Sequence, residues 1–409
     1  MPQIIFINRY FYPDESATSQ ILTDLARHLA SRGFNVKIIT SRLSYAALDK
    51  QYAARETIDN IEIVRVKTSS FGRTHNLGRA MDYLSFYLSA AIAILKQCKK
   101  GDVLVTKTDP PLFGIISGAL GRFKKAIVTN WQQDIYPEIA ERIDPPVIKP
   151  RLASFLRTLR NHSLCKANHI FVIGQQMKAF VRHCGVRQEK ITVIHNWCND
   201  KTIYPIPLNE NELRKKWGFS DSDFIIAYSG NLGRAHDIAT IIEAAKALRL
   251  HQNITFLFIG GGQSHRNLKR IIKAQNLENI ILKPYQPRDQ LYLSLGLANI
   301  HWLSLLPALE GTILPSKFYG IAAAGRAMLF IGDKQGEIAT MIEQADCGAS
   351  FAIGDSQALC TTILELAAQP NRCAKLGLNA RAQLDSIYSK QNSLEKWEKS
   401  LAKIISKTP

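Results

Sequence analysis

Residues 307–325 read PALEGTILPSKFYGIAAAG, and the fold is most legible from this stretch outward. The first half has no regular period: Pro307, Glu310, Gly311, Thr312 and Pro315 mark a loop. The second half predicts a buried helix, with Ile321, Ala322, Ala323 and Ala324 running to a stop at Gly325. Ser316 stands where an N-cap belongs. A helix start beside a Gly-Thr turn offers unpaired N–H groups and partial positive charge, which suits a phosphate. Lys317 in the first turn opposes the helix dipole unless an anion sits there with it. Glu310, just before, carries a carboxylate able to accept hydrogen bonds from sugar hydroxyls. Taken alone, the segment also fits a surface loop leading into an ordinary helix.

At 409 residues the chain has room for two domains. Its formal net charge is +18, and residues 1–200 hold 28 Lys and Arg against 16 Asp and Glu. That excess points to an anionic partner: phosphate-bearing substrates, anionic lipid or nucleic acid. The seven cysteines form no CxxC pair, so reduced thiols are expected, with neither a disulfide frame nor a zinc site. MPQIIFINRYF is too briefly apolar for a secretory leader, and no run suffices to cross a bilayer. A cytoplasmic protein is expected. The apolar helix candidate LSFYLSAAIAIL (84–95) runs into Lys96, Lys99 and Lys100. It fits either the core or a bilayer surface.

Short apolar runs alternate with helical patterns along the whole chain, which predicts parallel sheets and an α/β fold. In such sheets ligands bind beyond the carboxyl ends of the strands. Three loops of the first half lie there. Tyr12-Pro13-Asp14-Glu15 follows the first strand. Asp109-Pro110-Pro111 follows the strand around 103–106. Gln133, Asp134 and Glu138 follow the strand 126–131. The two carboxylates Asp134 and Glu138 could orient a hydroxyl, and helix capping is the competing role for Asp134. Around Asn199–Leu213 the pattern loosens, which sets a domain boundary at 200/201. Beyond it, Ser229-Gly230-Asn231-Leu232-Gly233-Arg234-Ala235-His236 forms a glycine-punctuated loop, and Arg234 could pair with a phosphate. Gly260-Gly261-Gly262 and Pro284-Tyr285-Gln286 end two further strands. A final helix carrying Trp397 is long enough to return to the first domain. There is no GxSxG elbow or HExxH.

With these residues in view, the chain resembles the family-4 glycosyltransferases, along its whole length. Tyr12-Pro13 resembles their acceptor-side loop, and Val193-Ile194-His195-Asn196 their "VIPN" segment. Ser229-Gly230-Asn231-Leu232 resembles their "GRL" turn, and Ala322-Ala323-Ala324-Gly325 their "AMAAG" helix. The SGNLGRAHD and PSKFYG stretches look most like the branch that builds bacterial surface polysaccharides. The resemblance implies the GT-B fold: two Rossmann-like domains facing across a cleft, residues 1–200 with a returning C-terminal helix at about 390–409, and residues 201–389. It implies retaining transfer from a nucleoside-diphosphate sugar, a UDP-sugar, to a lipid-diphosphate-linked acceptor, with no metal or other cofactor. The implied partners are that donor, that acceptor and an anionic membrane surface at its inner face, with no nucleic acid.

By the same resemblance Glu310, Lys317, Arg234 and Asp134 are the catalytic candidates. Gly230, Asn231, Gly233, His236, Gly261, Tyr285, Gln286, Gly311, Thr312 and Ser316 would hold the donor. Tyr12, Asp14, Glu15, Gln133 and Glu138 would hold the acceptor. The chain departs from the family at the second glutamate of its paired motif, which falls on Gly320, and at the phosphate-binding Arg and Lys, which fall on Asn231 and His236. Arg234 and Lys317 are expected to supply that charge together. A histidine common in the first domain falls on Gln133. A nucleotide- or nucleic-acid-binding protein without catalysis, and a phosphorylase or epimerase on the same fold, remain the alternatives.

Overall fold

The computed structural model describes residues 2–44, 51–72 and 76–407. The chain divides into two compact units: Met1–Glu141 with Pro146–His195 and Ser393–Pro409, and Arg142–Pro145 with Asn196–Asn392.

The first unit is built on β1 (Ile4–Ile7), β2 (Val36–Ser41), β3 (Arg55–Ile58), β4 (Ile61–Val66), β5 (Val103–Lys107), β6 (Ile127–Gln132), β7 (His169–Val172) and β8 (Ile191–Val193). Its helices are α1 (Ala17–Ser31), α2 (Asn76–Gln97), α3 (Phe113–Phe123), α4 (Glu138–Arg142), α5 (Pro150–Lys166) and α6 (Gln175–His183). The sheet order is β3-β4-β2-β1-β5-β6-β7-β8. All pairings are parallel except β3 against β4. β1, β2, β5 and β6 are buried at every position, as strands covered on both faces must be; IIFI of β1 is wholly apolar, and the others open on apolar residues and carry polar ones toward their carboxyl ends, with Lys37 the exception. β3 was not evident in the sequence, because its alternating exposed and half-buried residues make no apolar run. The turn that joins it to β4 is two residues long: Asp59 and Asn60 both take positive φ (50° and 62°), the twist that closes a two-residue hairpin.

The second unit carries β9 (Phe224–Asn231), β10 (Ile254–Gly261), β11 (Ile280–Lys283), β12 (Ile300–Ser304), β13 (Ala327–Ile331) and β14 (Gly348–Phe351), all parallel, in the order β11-β10-β9-β12-β13-β14. Its helices are α7 (Glu212–Lys216), α8 (Ala239–Ala247), α9 (His265–Gln275), α10 (Leu291–Gly296), α11 (Lys317–Ala323), α12 (Glu337–Ala345), α13 (Ser356–Ala368) and α14 (Pro370–Gln383). Strand order reverses between β1 and β5 in one sheet and between β9 and β12 in the other. These are the points where connections leave on opposite faces and open a crevice.

The last helix, α15 (Lys390–Ser406), belongs to the first unit from Ser393 onward. Its Trp397 is fully buried, 4.0 Å from the Phe171 ring and 4.5 Å from the Trp131 ring, centroid to centroid. On the same helix Glu398 meets His28 of α1 at 2.8 Å. Trp397→Ala leaves a cavity on β6 and β7 and is predicted to destabilise the first unit by about 3–5 kcal/mol, measured by urea unfolding.

Candidate active site

In the second unit, β9 and β10 end side by side with Gly230 and Gly260 in register. Both hold left-handed backbones (φ +123° and +128°) that side chains resist. A Cβ at 260 would strike the Gly230 carbonyl, and a Cβ at 230 would lie 2.9 Å from Lys317 Cε. The bare strand ends thus form a floor along which the Lys317 side chain lies. Its Nζ is 4.9 Å from the centre of the Tyr228 ring and 3.4 Å from the Asn231 carbonyl, which also accepts the Tyr228 hydroxyl at 2.8 Å. Among the described residues no carboxylate lies within ion-pair distance of Lys317. Burial pulls its ammonium down to about 8. His236 completes the group. Its Nδ1 is 2.7 Å from the Ser304 carbonyl, an oxygen that can only accept, so the proton is on Nδ1 and Nε2 keeps its lone pair. Burial, and then Lys317, push the ring down to about 4, so His236 is neutral at neutral pH and contributes no cation.

Glu310 follows the turn Pro307–Leu309 and reaches the start of α12, where its Oε2 accepts the Glu337 amide at 3.3 Å. Its Oε1 is buried with no hydrogen-bond partner. A Cβ at Gly336 would collide with that oxygen, so only glycine leaves room for it. Burial raises the Glu310 carboxyl to about 7, opposed by the Glu337 amide and reinforced by Asp333. Tyr285 is 59 % exposed and its ring lies over Gly260 and Gly261, an open aromatic face beside the glycine floor.

Several expected donor residues have other roles. Ser316 has helical φ and ψ (−67°, −11°), and its side chain does not cap α11. Thr312 is fully buried and its hydroxyl donates to the Leu309 carbonyl, so it shapes the turn. Gly311 takes a positive φ of 71° in that turn. Gln286 is half-buried and its side-chain amide donates to the Pro284 carbonyl at 2.9 Å. The Gly233 carbonyl accepts the His236 amide at 3.3 Å and closes the loop. The expected pairing of Arg234 with Lys317 is not formed. The Arg234 guanidinium donates through Nε to the Asp144 carbonyl at 3.1 Å and through its other arm to the Pro145 carbonyl. Those carbonyls satisfy the fork, and Lys317 is left as the cation on the glycine floor.

In the first unit a different chemistry gathers at the ends of β5 and β6. Lys107 is buried, donates to the Thr18 carbonyl at 3.0 Å and sits 4.0 Å from the centre of the Trp131 ring. Burial draws it down to about 7, while Asp109 and Asp134 pull it back up. Burial and the neighbouring Asp109 raise Asp134 to about 6, against the pull of Lys107. Thr108 Oγ1 accepts the Gln133 and Asp134 amides, each at 3.3 Å, which holds that loop in place without using the Asp134 carboxylate as a cap. Tyr83, Tyr87 and Tyr136 sense Asp109 and are all raised, chiefly by burial. Lys107, Asp109 and these tyrosines were missed as site residues. A lysine closing the strand VLVTK reads as a surface end, and only the Asp-Pro-Pro turn hinted at the edge.

The other acceptor candidates divide. Tyr12 is 38 % exposed with Arg27 stacked 4.7 Å over its ring, and Glu15 is exposed. Asp14 is buried and accepts the Ser16 amide at 2.9 Å, so it shapes the turn that opens α1. Glu138 is corrected outright. It is buried against Arg160 (2.6 Å) and Arg157 (3.2 Å), and those two cations hold its carboxylate inside the unit.

With this geometry in hand, comparison with known proteins is direct. Residues 18–201 match the family described as Glycosyltransferase Family 4, and residues 209–383 match Glycosyl transferases group 1. WbjE of Pseudomonas aeruginosa, described as a probable glycosyltransferase, is 24 % identical over 359 residues, 85 % of each chain. WcaI of Escherichia coli (strain K12), described as a colanic acid biosynthesis glycosyl transferase, is 24 % identical over 194 residues, 47 % of each chain. Among solved structures, the sucrose-phosphate synthase of Thermosynechococcus elongatus superposes with a TM-score of 0.77 at 15 % identity, over 100 % of both chains. Anabaena HepE in complex with UDP-glucose does so with a TM-score of 0.73 at 14 % identity, over 98 % of this chain and 100 % of its own. The chain belongs to the family-4 glycosyltransferases, with two parallel-sheet units of the GT-B kind. Gly230→Ala forces a side chain into a left-handed backbone against Lys317 and is predicted to lower stability by about 1–3 kcal/mol. Gly233→Ala, where a Cβ meets only Asn231 at 3.5 Å, is predicted to be near neutral in the same urea titration.

Proposed function

We propose that this chain transfers a sugar from a UDP-sugar to a lipid-diphosphate-linked saccharide in surface-polysaccharide assembly, at the cytoplasmic face of a membrane, with retention at the anomeric carbon and no metal ion. Lys317 carries the reading. A half-buried ammonium at a strand-order reversal, with no carboxylate beside it among the described residues, is completed by an anion such as a diphosphate. The fold shared with HepE, which was crystallised with UDP-glucose, supports the donor, and the likeness to WcaI supports the polysaccharide setting.

In this reading the bond between the anomeric carbon and the diphosphate oxygen breaks, and Lys317 stabilises the charge that develops on the leaving group. The unpartnered Oε1 of Glu310 accepts a hydroxyl of the sugar and orients its ring. His236 Nε2, a lone-pair acceptor, suits a second hydroxyl better than a phosphate. The acceptor hydroxyl oxygen forms the new bond and its proton passes to the departing phosphate. Asp134, with Lys107 and the tyrosines around it, positions the acceptor. Retention rests on the family resemblance.

Lys317→Ala is predicted to lower kcat about 10²–10³-fold with an unchanged unfolding midpoint. Near wild-type turnover would overturn the assignment. Activity is predicted to survive EDTA, and its loss would contradict the metal-free reading. Asp134 is expected to act ionised, so kcat/KM should rise with pH through about 6. Asp134→Asn should flatten that limb; a limb that persists in the variant assigns it to another group.

A further inference from the structure

Helix α2 is apolar on both sides. Phe86, Ala90, Ala93 and Ile94 face the sheet and are buried. On the outer side Leu77, Met81, Leu84, Leu88, Ile92 and Leu95 recur at three- and four-residue steps, so they share one face, and each is between 41 % and 77 % exposed. A surface helix normally turns polar residues outward, so this face lacks its cover. α3 packs beside α2 and α5 packs beside α3, and α5 repeats the pattern with Leu152, Phe155 and Leu159 exposed at helical spacing. The charges left free around these stripes are basic, since Glu138 and Glu141 beside α5 are taken up by Arg157 and Arg160. α2 runs into exposed Lys96, Lys99 and Lys100, and α5 carries exposed Arg151 and Lys166. The only acidic residue on either helix is Asp82, which is buried and paired with Arg9 at 3.7 Å.

We propose that the outer faces of α2 and α5 are the docking surface for an anionic lipid bilayer, with α2 lying in the interface plane. An apolar stripe ended by lysines matches acyl chains below and acidic headgroups beside them. A second copy of the chain fits less well, because a symmetric contact through these faces sets cation against cation. The stripe also shares its helix with the proposed acceptor edge. On the inner side of α2 the Tyr87 hydroxyl donates to the Pro111 carbonyl, and Tyr83 senses Asp109. A membrane lying on α2 therefore keeps headgroups near that edge, a link that rests on the acceptor reading given above.

Flotation of the full chain with vesicles of phosphatidylglycerol mixed with phosphatidylcholine, and with phosphatidylcholine alone, tests the docking without any sugar transfer. It can therefore fail while the transferase assignment stands. The wild type is predicted to float with the anionic vesicles only, and less so as salt rises. The variant Leu84→Glu/Leu88→Glu should lose at least about 10-fold in partitioning. The variant Lys96→Gln/Lys99→Gln/Lys100→Gln should lose about 100-fold. Both alter exposed side chains, and near-ultraviolet circular dichroism verifies their fold. A wild type that stays in the dense fraction, or variants that float as well as it does, would overturn the proposal. A wild-type dimer in sedimentation that Leu84→Glu/Leu88→Glu dissolves would overturn it in favour of a second copy.

Discussion

One uncompensated charge organises the second unit. Lys317 enters the first turn of α11, where the helix dipole disfavours it, and lies along strand ends made of glycine. Burial already weakens its hold on a proton. Among the described residues no carboxylate neutralises it, and no second cation stands with it: His236 is held neutral by burial and by its bond to Ser304, and Arg234 is occupied by main-chain carbonyls. In the proposed reading the partner of this group is an anion, the diphosphate of the donor. Gly230 leaves the lysine its bed, since a Cβ there would lie 2.9 Å from Lys317 Cε, and Gly260 leaves room for the Gly230 carbonyl.

The first unit solves a different problem at its own strand-order reversal. Lys107, Asp109 and Asp134 share a partly closed edge: burial makes the lysine lose protons more readily and Asp134 less readily than in water, Asp109 adds to the rise of Asp134, and the attraction between lysine and aspartate opposes both shifts. Burial of this kind brings the titration of the Asp134 carboxyl closer to neutrality than that of a solvated aspartate. The framework beneath is rigid. Trp397 of the last helix packs on Trp131, the same ring that carries the Lys107 ammonium, so the C-terminal segment buttresses the floor of this edge.

Much of the fold was legible, because buried parallel strands must read as apolar runs and the helices between them as periodic segments. β3 escaped, since an edge strand with one open face has no such run. The site was legible by neighbourhood more than by contact. The loop 307–325 and the glycine turn at 229–236 were picked out, yet their meeting through Lys317 and Gly230 joins residues far apart in sequence. Ser316 misled because residue type favours a cap only when its backbone is extended, and here the backbone is already helical. Arg234 misled because its carbonyl partners, Asp144 and Pro145, lie in the other half of the sequence. Glu138 read as an acceptor ligand because sequence does not show two arginines folding back onto it.

The most direct test of the central claim is the titration of Lys317 itself, followed by NMR of the isotopically methylated side chain and assigned with Lys317→Arg. The account predicts a midpoint near 8 in the free protein and an upward shift of at least about one unit when UDP is added. A midpoint at the ordinary lysine value of about 10.4, or one that UDP does not move, would contradict it.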